Sequence, residues 1–260
     1  MSSRPPRFPL ALDRIGRGGA EASRARGGET APAAAVAPPG GVGLDSQHVR
    51  TRMVERLCAQ GLSCRPVIDA LAAVPRHAFV DAGLAAQAYE DTSLPIGHGQ
   101  TISKPSVVGR MIELLLQGAN AKAGQPARVL EIGTGCGYQA AVLAQVARQV
   151  YSVERVKPLH DKARALLAPL GIRNVRLVYG DGMLGHPPNA PYDGIIAAAG
   201  GESLPAAWTD QLAIGGRIVA PVRDTADRQV LVVVDRTEHG FERSVHEVVQ
   251  FVPLRSGLVR

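Results

Sequence analysis

A glycine-rich turn is the stretch of this sequence best suited to hold a ligand. The run LEIGTGCGYQAAVLA at 130–144 places glycines at every second position, between a short apolar segment and a helix predicted over Gln139–Arg148. Glycine suits such a turn because a side chain would block the ligand, and the first amides of the helix offer hydrogen-bond donors. The residues that we expect to bind the ligand here are Glu131, Gly133, Thr134, Gly135 and Gly137.

The spacing of this turn and its acidic residue indicate the type of ligand. The pattern E-x-G-x-G-x-G differs from the G-x-G-x-x-G of dinucleotide enzymes. Glu131 would repel a pyrophosphate and would attract a nucleoside that carries a cationic sulfonium and an ammonium group. The sequence therefore predicts S-adenosyl-L-methionine as the ligand.

Two further acids end the strands that follow. Glu154 comes 21 positions after Gly133, a separation that suits a carboxylate accepting both hydroxyls of a ribose. Asp181, followed by Gly182, ends the third strand, where a carboxylate can accept from an adenine amino group. Each acid alone is more often a helix cap or a solvated strand end. Acids at three successive strand ends, however, favour a nucleoside site at one edge of a sheet.

The chain resembles the protein-L-isoaspartate O-methyltransferase family. The stretches that carry the resemblance are LEIGTGCGYQAAVLA at 130–144, GHGQTISKPSVVGRM at 97–111, YSVERV at 151–156, YGDG at 179–182, LAIGGRIVAPV at 212–222 and RTEHGFERSVHEVVQFVPL at 236–254. The glycine turn is shared with many methyltransferases, whereas GQTISKP is specific to this family. The similarity covers about Leu44 to Leu254, Cys136 stands where serine is commoner, and the residues before Leu44 have no counterpart in the family pattern.

The resemblance implies an activity and an acceptor site. It implies methyl transfer from S-adenosylmethionine to the carboxylate of L-isoaspartyl residues in damaged proteins and peptides, whose ester then closes to a succinimide and partly reopens to normal aspartate. Ser103 corresponds to the active-site serine of the family, and Gln100, Thr101 and Ile102 lie in the same substrate-binding loop. A carboxylate is already an anion at neutral pH, so we expect Ser103 to orient the acceptor by a hydrogen bond rather than to act as a nucleophile. Ser103 also stands where it can cap the helix that begins near Pro105, and the two roles are compatible.

Strands must position these residues at a common edge. Short apolar segments separated by helical stretches predict five of them: Arg128–Ile132, Val150–Glu154, Val175–Tyr179, Gly194–Ala198 and Arg217–Val222. This alternation predicts an α/β, doubly wound, mostly parallel sheet of the Rossmann-like methyltransferase type. The last two strands, Gln229–Asp235 and Ser244–Val252, flank a turn and predict a C-terminal antiparallel pair.

Helices are predicted before the sheet. Apolar residues at helical spacing predict one helix after the capping residue Asp45 and a second that Pro75 ends. A third, apolar helix is predicted over Val107–Leu116, as core rather than as a partner surface. The residues from Tyr89 to Pro105 are expected to form a loop, in which His98 is more often structural than functional.

Composition indicates the domain organisation and the cellular environment to expect. Residues 1–43 are rich in Pro, Gly, Ala and Arg and predict a disordered extension, followed by a methyltransferase domain over residues 44–260. Six arginines against three acids in that extension account for half of the net charge of +6, and the remainder forms no basic run, so no nucleic-acid partner is expected. Three cysteines without a CxxC pair and the lack of a long apolar stretch predict a cytoplasmic protein without a membrane or metal partner, which we expect to be a monomer.

Three other functions fit parts of this pattern. A methyltransferase for RNA or a small metabolite would need another acceptor motif, such as an NPPY-like run, where this chain has AAAG at 197–200. A nicotinamide-dependent oxidoreductase would need the G-x-G-x-x-G spacing. A regulator that binds the cofactor without catalysis is disfavoured by the intact acceptor loop.

Overall fold

The computed structural model describes residues 47–260, so Asp45 and the extension predicted over residues 1–43 lie outside the described residues. The helices within that range are α1 (Gln47–Ala59), α2 (Arg65–Ala73), α3 (Pro105–Leu116), α4 (Ala119–Ala123), α5 (Tyr138–Val146), α6 (Lys157–Leu167) and α7 (Ala206–Asp210). The strands are β1 (Leu94–Gly97), β2 (Gln100–Ile102), β3 (Arg128–Ile132), β4 (Gln149–Glu154), β5 (Val175–Tyr179), β6 (Tyr192–Ala197), β7 (Leu212–Arg223), β8 (Gln229–Thr237) and β9 (Gly240–Val248).

The main sheet has seven strands among the described residues, in the order β5-β4-β3-β6-β7-β8-β9. The five strands from β3 to β7 pair in parallel, and β8 and β9 add to β7 in antiparallel fashion. The central strands are buried on both faces, as parallel strands covered by helices require. The predicted doubly wound fold with an antiparallel pair at one end is therefore confirmed.

The strand order creates a crevice at the end of β3. The chain runs from β3 outward to β4 and β5, and then returns to place β6 on the other side of β3. Loops after β3 and β6 therefore leave the sheet in opposite directions, and ligands of open parallel sheets bind at such a point, outside the carboxyl ends of the strands. The glycine-rich turn at 133–137 lies there.

Helices α1, α2 and α3 cover one part of the sheet. Their apolar faces join the same core as α5, through residues such as Met53, Leu71, Ile112 and Leu143. The carboxylate of Glu113 in α3 accepts hydrogen bonds from the backbone N–H groups of residues 63 and 64, and thereby ties α3 to the start of α2. Within residues 47–260, no helix has the length and apolar character to cross a membrane.

Two predictions about local structure were wrong. The segment from Tyr89 to Pro105 contains the antiparallel hairpin β1–β2, whose strands of four and three residues are too short for a clear alternating pattern. The last strand is β9, Gly240–Val248, and not Ser244–Val252. It starts earlier because the chain turns back within two residues of β8. It ends earlier because Gly200 N–H donates to the Val252 carbonyl at 2.8 Å, which draws the chain toward the end of β6.

Candidate active site

A cavity of about 480 Å³ lies at the carboxyl ends of β3, β4 and β6. Its walls come from the turn after β3, the end of β4, the part of the hairpin from His98 through β2 to Ser103, and the segment 252–255. The structure thus brings the predicted acceptor loop and the predicted ligand turn to one cavity. The predicted site residues that line it are Gln100, Thr101, Ile102, Ser103, Gly133, Thr134, Gly135, Glu154 and Gly182.

The glycine turn has a backbone that other residues rarely adopt. Gly133, Gly135 and Gly137 have φ angles of 90°, 56° and 92°, in the left-handed region. A Cβ on Gly135 would lie 3.1 Å from Cδ1 of Ile96 in β1, so the hairpin packs closely on the turn. Gly137 does not line the cavity, because it is the residue before α5 and faces Leu167. The glycines therefore serve two purposes, access to the backbone and close packing.

Glu154 is held firmly at the end of β4. Its side chain is only 5% exposed, and its two carboxylate oxygens accept from different backbone amides. Oε2 accepts from Gly135 N–H at 2.9 Å, and Oε1 accepts from Val156 N–H at 2.9 Å. Each carboxylate oxygen can accept a further hydrogen bond. The geometry suits the acceptor of ribose hydroxyls that the sequence predicts.

Glu131 lies beneath the turn rather than in the cavity wall. It is fully buried, accepts a hydrogen bond from the Ser152 hydroxyl at Oε2, and has no partner at Oε1 among the described residues. The Ser152 hydroxyl is also 2.6 Å from Oγ1 of Thr134, which does line the cavity. Burial raises the pKa of Glu131 to about 8. Glu131 therefore does not contact the cavity itself and is linked to it through the hydrogen bonds of Ser152 and Thr134.

Asp181 is turned away from the cavity. Its Oδ1 accepts from Met183 N–H at 2.9 Å and its Oδ2 accepts from Gly257 N–H at 2.6 Å, and it is not part of the cavity wall. Gly182 does line the cavity. A Cβ on Gly182 would come within 2.5 Å of Cγ2 of Ile132, and the carbonyl of Gly182 accepts from Nε1 of Trp208 at 2.8 Å. The loop after β5 thus contributes backbone rather than a carboxylate.

Ser103 lies between β2 and α3 with its side chain at the cavity. It is half-buried, and no hydrogen bond of its hydroxyl is found within residues 47–260. The expected role as a helix cap is wrong, because Lys104 occupies the N-cap position and Asp91 accepts from the Ser106 N–H at 2.9 Å. The hydroxyl is therefore available to a ligand in the cavity.

Some residues of the cavity wall were missed in the sequence. The segment from Val252 to Arg255 and the side of Val259 line it, together with Arg155 after β4. The one available signal was the resemblance of VPL at 252–254 to the family pattern. Within residues 47–260, no group of three or more His, Cys, Asp or Glu side chains could hold a metal ion.

Comparison with known proteins identifies the family. The family model described as protein-L-isoaspartate(D-aspartate) O-methyltransferase matches residues 48–258. The chain belongs to this family. A protein-L-isoaspartate O-methyltransferase of Methylibium petroleiphilum is 60% identical, over 97% of this chain and 96% of the relative. Another, of Leptothrix cholodnii, is 61% identical over 88% of this chain and 80% of the relative.

Solved structures agree with the fold. A protein-L-isoaspartate O-methyltransferase superposes with a TM-score of 0.71 at 29% identity, over 81% of this chain and 67% of the other. A Plasmodium falciparum protein in complex with S-adenosyl-L-homocysteine superposes with a TM-score of 0.67 at 23% identity, over 79% of this chain and 98% of the other.

Membership of the protein-L-isoaspartate(D-aspartate) O-methyltransferase family confirms the predicted enzyme class and the predicted methyl donor. It excludes the alternatives of an RNA methyltransferase and of a nicotinamide-dependent oxidoreductase. The family model begins at residue 48, so the residues before Leu44 lie outside the family pattern, as expected, although the match to the Methylibium relative, over 97% of this chain, extends into residues 1–43.

Proposed function

We propose that the cavity at the ends of β3, β4 and β6 is the active site, where methyl transfer from S-adenosylmethionine to the carboxylate of L-isoaspartyl residues takes place. The observation that carries the proposal is that one cavity is lined both by the acceptor loop, Gln100 to Ser103, and by the donor side, Gly133, Gly135 and Glu154. A reaction between two bound molecules needs both of them within one enclosed space.

The donor side of the cavity fits an adenosyl compound. Glu154 offers a fixed carboxylate for ribose hydroxyls, and the turn glycines leave the backbone open. The side-chain amide of Gln139 is buried at the cavity wall, beside the carboxyl group of Glu131. We assign cofactor binding to Gly133, Thr134, Gly135, Glu154 and Gly182, and supporting roles to Glu131, Gly137 and Asp181.

The bound donor supplies a methyl group activated by a positively charged sulfur. The chain orients the acceptor carboxylate relative to the methyl group and supplies no acid–base catalyst. None is needed, because a carboxylate with an ordinary pKa of about 4 is already ionised at neutral pH. Ser103 donates a hydrogen bond that orients this carboxylate, and Gln100, Thr101 and Ile102 hold the residues around it. Charge is neutralised during transfer, so a dry cavity with few competing charges favours the reaction. Cys136 does not compete as a nucleophile, since burial raises the pKa of its thiol to about 11.

Glu131 supports the donor side indirectly. Its carboxyl group orders the Ser152 hydroxyl, which in turn contacts Thr134 in the turn. The raised pKa means that Glu131 holds a proton over much of the neutral range. In that form it adds no buried negative charge beneath the site, and it does not attract the cationic donor by charge, contrary to the role expected from the sequence.

The remaining features of the protein are proposed as follows. Residues 44–260 form the methyltransferase domain, and residues 1–43 form an extension to it. Its substrates are proteins and peptides that contain isoaspartyl residues, and it acts as a monomer in the cytoplasm, without a nucleic-acid, membrane or metal partner. These assignments are supported by composition and by the resemblance.

The test of the function is a comparison of two peptides that differ in a single linkage. The purified chain is supplied with radiolabelled S-adenosylmethionine and with an isoaspartyl peptide or its normal aspartyl isomer. We expect base-labile methyl ester to form on the isoaspartyl peptide alone. Equal rates on both peptides would contradict the function, and a methylated product stable to base would point to another acceptor.

A further inference from the structure

Residues 255–260 form a strap across the ends of β4 and β5. The Val259 N–H donates to the Arg155 carbonyl at 2.8 Å, and the Val259 carbonyl accepts from Lys157 N–H at 2.8 Å. The hydroxyl of Tyr179 donates to the same carbonyl at 3.1 Å. The strap therefore continues the sheet as a short parallel bridge, directly beside the Glu154 end of the cavity.

Arg155 fastens the strap with its side chain as well. Its Nε donates to the Gly257 carbonyl at 2.8 Å, and its second guanidinium nitrogen donates to the Ser256 carbonyl at 3.1 Å. Both Arg155 and Val259 line the cavity. Gly257 is also fixed from the other side, because its N–H donates to Asp181. Two strand ends thus hold the same short segment, and this segment forms part of the cavity wall.

The strap is held by polar contacts rather than by burial. Leu258 and Val259 are 54% and 39% exposed, so little apolar surface is removed from water when the strap is closed. Segments with few buried apolar contacts and exposed hydrogen bonds open far more readily than the core. The loss of one anchor should therefore shift the balance between the closed and open strap, while the sheet stays intact.

We propose that Arg155 is a positioning residue, which holds the strap over the nucleoside half of the cavity and so slows the exchange of S-adenosylmethionine and its product S-adenosylhomocysteine. This inference rests on the proposed site. Ser103 lines the cavity from the junction of β2 and α3, whereas the strap is hydrogen-bonded at the ends of β4 and β5. Arg155 thus controls how long the donor or its product stays bound, and does not act on the acceptor.

The first test replaces the anchor and leaves the strap unchanged. Arg155→Met keeps the length of the side chain but removes both donors. We expect S-adenosylhomocysteine to leave about tenfold faster in a stopped-flow displacement experiment, as the loss of a charge-assisted hydrogen bond implies. The KM for S-adenosylmethionine should rise, whereas the KM for the isoaspartyl peptide should stay within about twofold. Arg176→Met is the matched control, an exposed arginine of β5 that donates only to nearby carbonyls.

A second variant tests the strap from its own side. Gly257→Pro removes the N–H that donates to Asp181, and proline cannot adopt the φ of 77° found there. Residue 257 is exposed, so the core should fold normally. We expect this variant to release the product as fast as Arg155→Met, and the double variant to add little.

Release at the wild-type rate from both variants would overturn the inference. A parallel rise in the KM of the peptide would do so too, because it would show a general loss of structure. Failure of the wild-type protein to bind S-adenosylhomocysteine would instead contradict the proposed site, so the two failures are distinguishable.

Discussion

Replacing Glu154 by glutamine should weaken cofactor binding strongly while leaving the fold intact. The two carboxylate oxygens of Glu154 accept from Gly135 N–H and Val156 N–H, and both have a lone pair left for a ribose hydroxyl. An amide has a single acceptor oxygen, so Glu154→Gln places an NH2 group against one backbone donor and removes the charge. Losing charge-assisted hydrogen bonds of this kind costs about 1.5 to 3 kcal/mol. That range corresponds to a rise of roughly 10- to 150-fold in Kd.

Titration calorimetry with S-adenosylhomocysteine measures this change directly. Glu242→Gln is the matched control, since it makes the same chemical change on an exposed side chain of β9, outside the cavity wall. The control should bind as the wild type does. A Glu154→Gln protein that is folded and binds within twofold of the wild type would refute the assignment of Glu154 to the ribose.

Further predictions concern the acceptor loop, the buried acid and the glycine turn. Ser103→Ala should lower kcat by about 10- to 100-fold, because an oriented hydrogen bond to the acceptor is lost, with an unchanged Kd for S-adenosylhomocysteine; a loss of cofactor binding instead would contradict the assigned role. Glu131→Gln should remove a pH dependence of stability. The pKa of Glu131 is raised in the folded state from 4.5 to about 8, so its contribution is fully present below pH 4.5 and is lost as the pH rises toward 8, by about 5 kcal/mol at most. Urea unfolding of the wild type and of Glu131→Gln at pH 5 and pH 8.5 measures this difference. An equal change in the free energy of unfolding between the two pH values in both proteins would contradict the prediction. Gly135→Ala should weaken cofactor binding by roughly 5- to 30-fold in calorimetry, because alanine at a φ of 56° costs about 1 to 2 kcal/mol and its Cβ crowds Ile96; wild-type affinity would show that the turn tolerates a side chain.

The sequence was sufficient for the parts of the site that depend on local pattern. The turn glycines and Glu154 stand directly after apolar strands, and parallel strands bring their carboxyl ends to one edge. The orientation of a side chain at a strand end is not determined by the neighbouring residues of the sequence alone. Asp181 follows its strand as predicted, but it bonds to Gly257, 76 residues further along the chain.

The wall formed by residues 252–259 could not be predicted in the same way, because its position depends on contacts with residues that are distant in the sequence. Its residues form no strand or helix of their own. They are held by backbone hydrogen bonds to Gly200, Arg155 and Lys157 and by the side chains of Arg155, Tyr179 and Asp181, all of which are distant in sequence. The hairpin β1–β2 was missed because its strands are very short. Glu131 was placed at the correct strand end. Its burial depends on Ser152 of the neighbouring strand, which a pattern read along one strand does not reveal.

The most direct measurement is a crystal structure with S-adenosylhomocysteine and an isoaspartyl peptide bound together. We predict that the ribose hydroxyls contact Glu154, and that the product sulfur faces an isoaspartyl carboxylate that accepts from the Ser103 hydroxyl. An adenosyl group bound outside the cavity, or a peptide carboxylate remote from Ser103, would contradict the account.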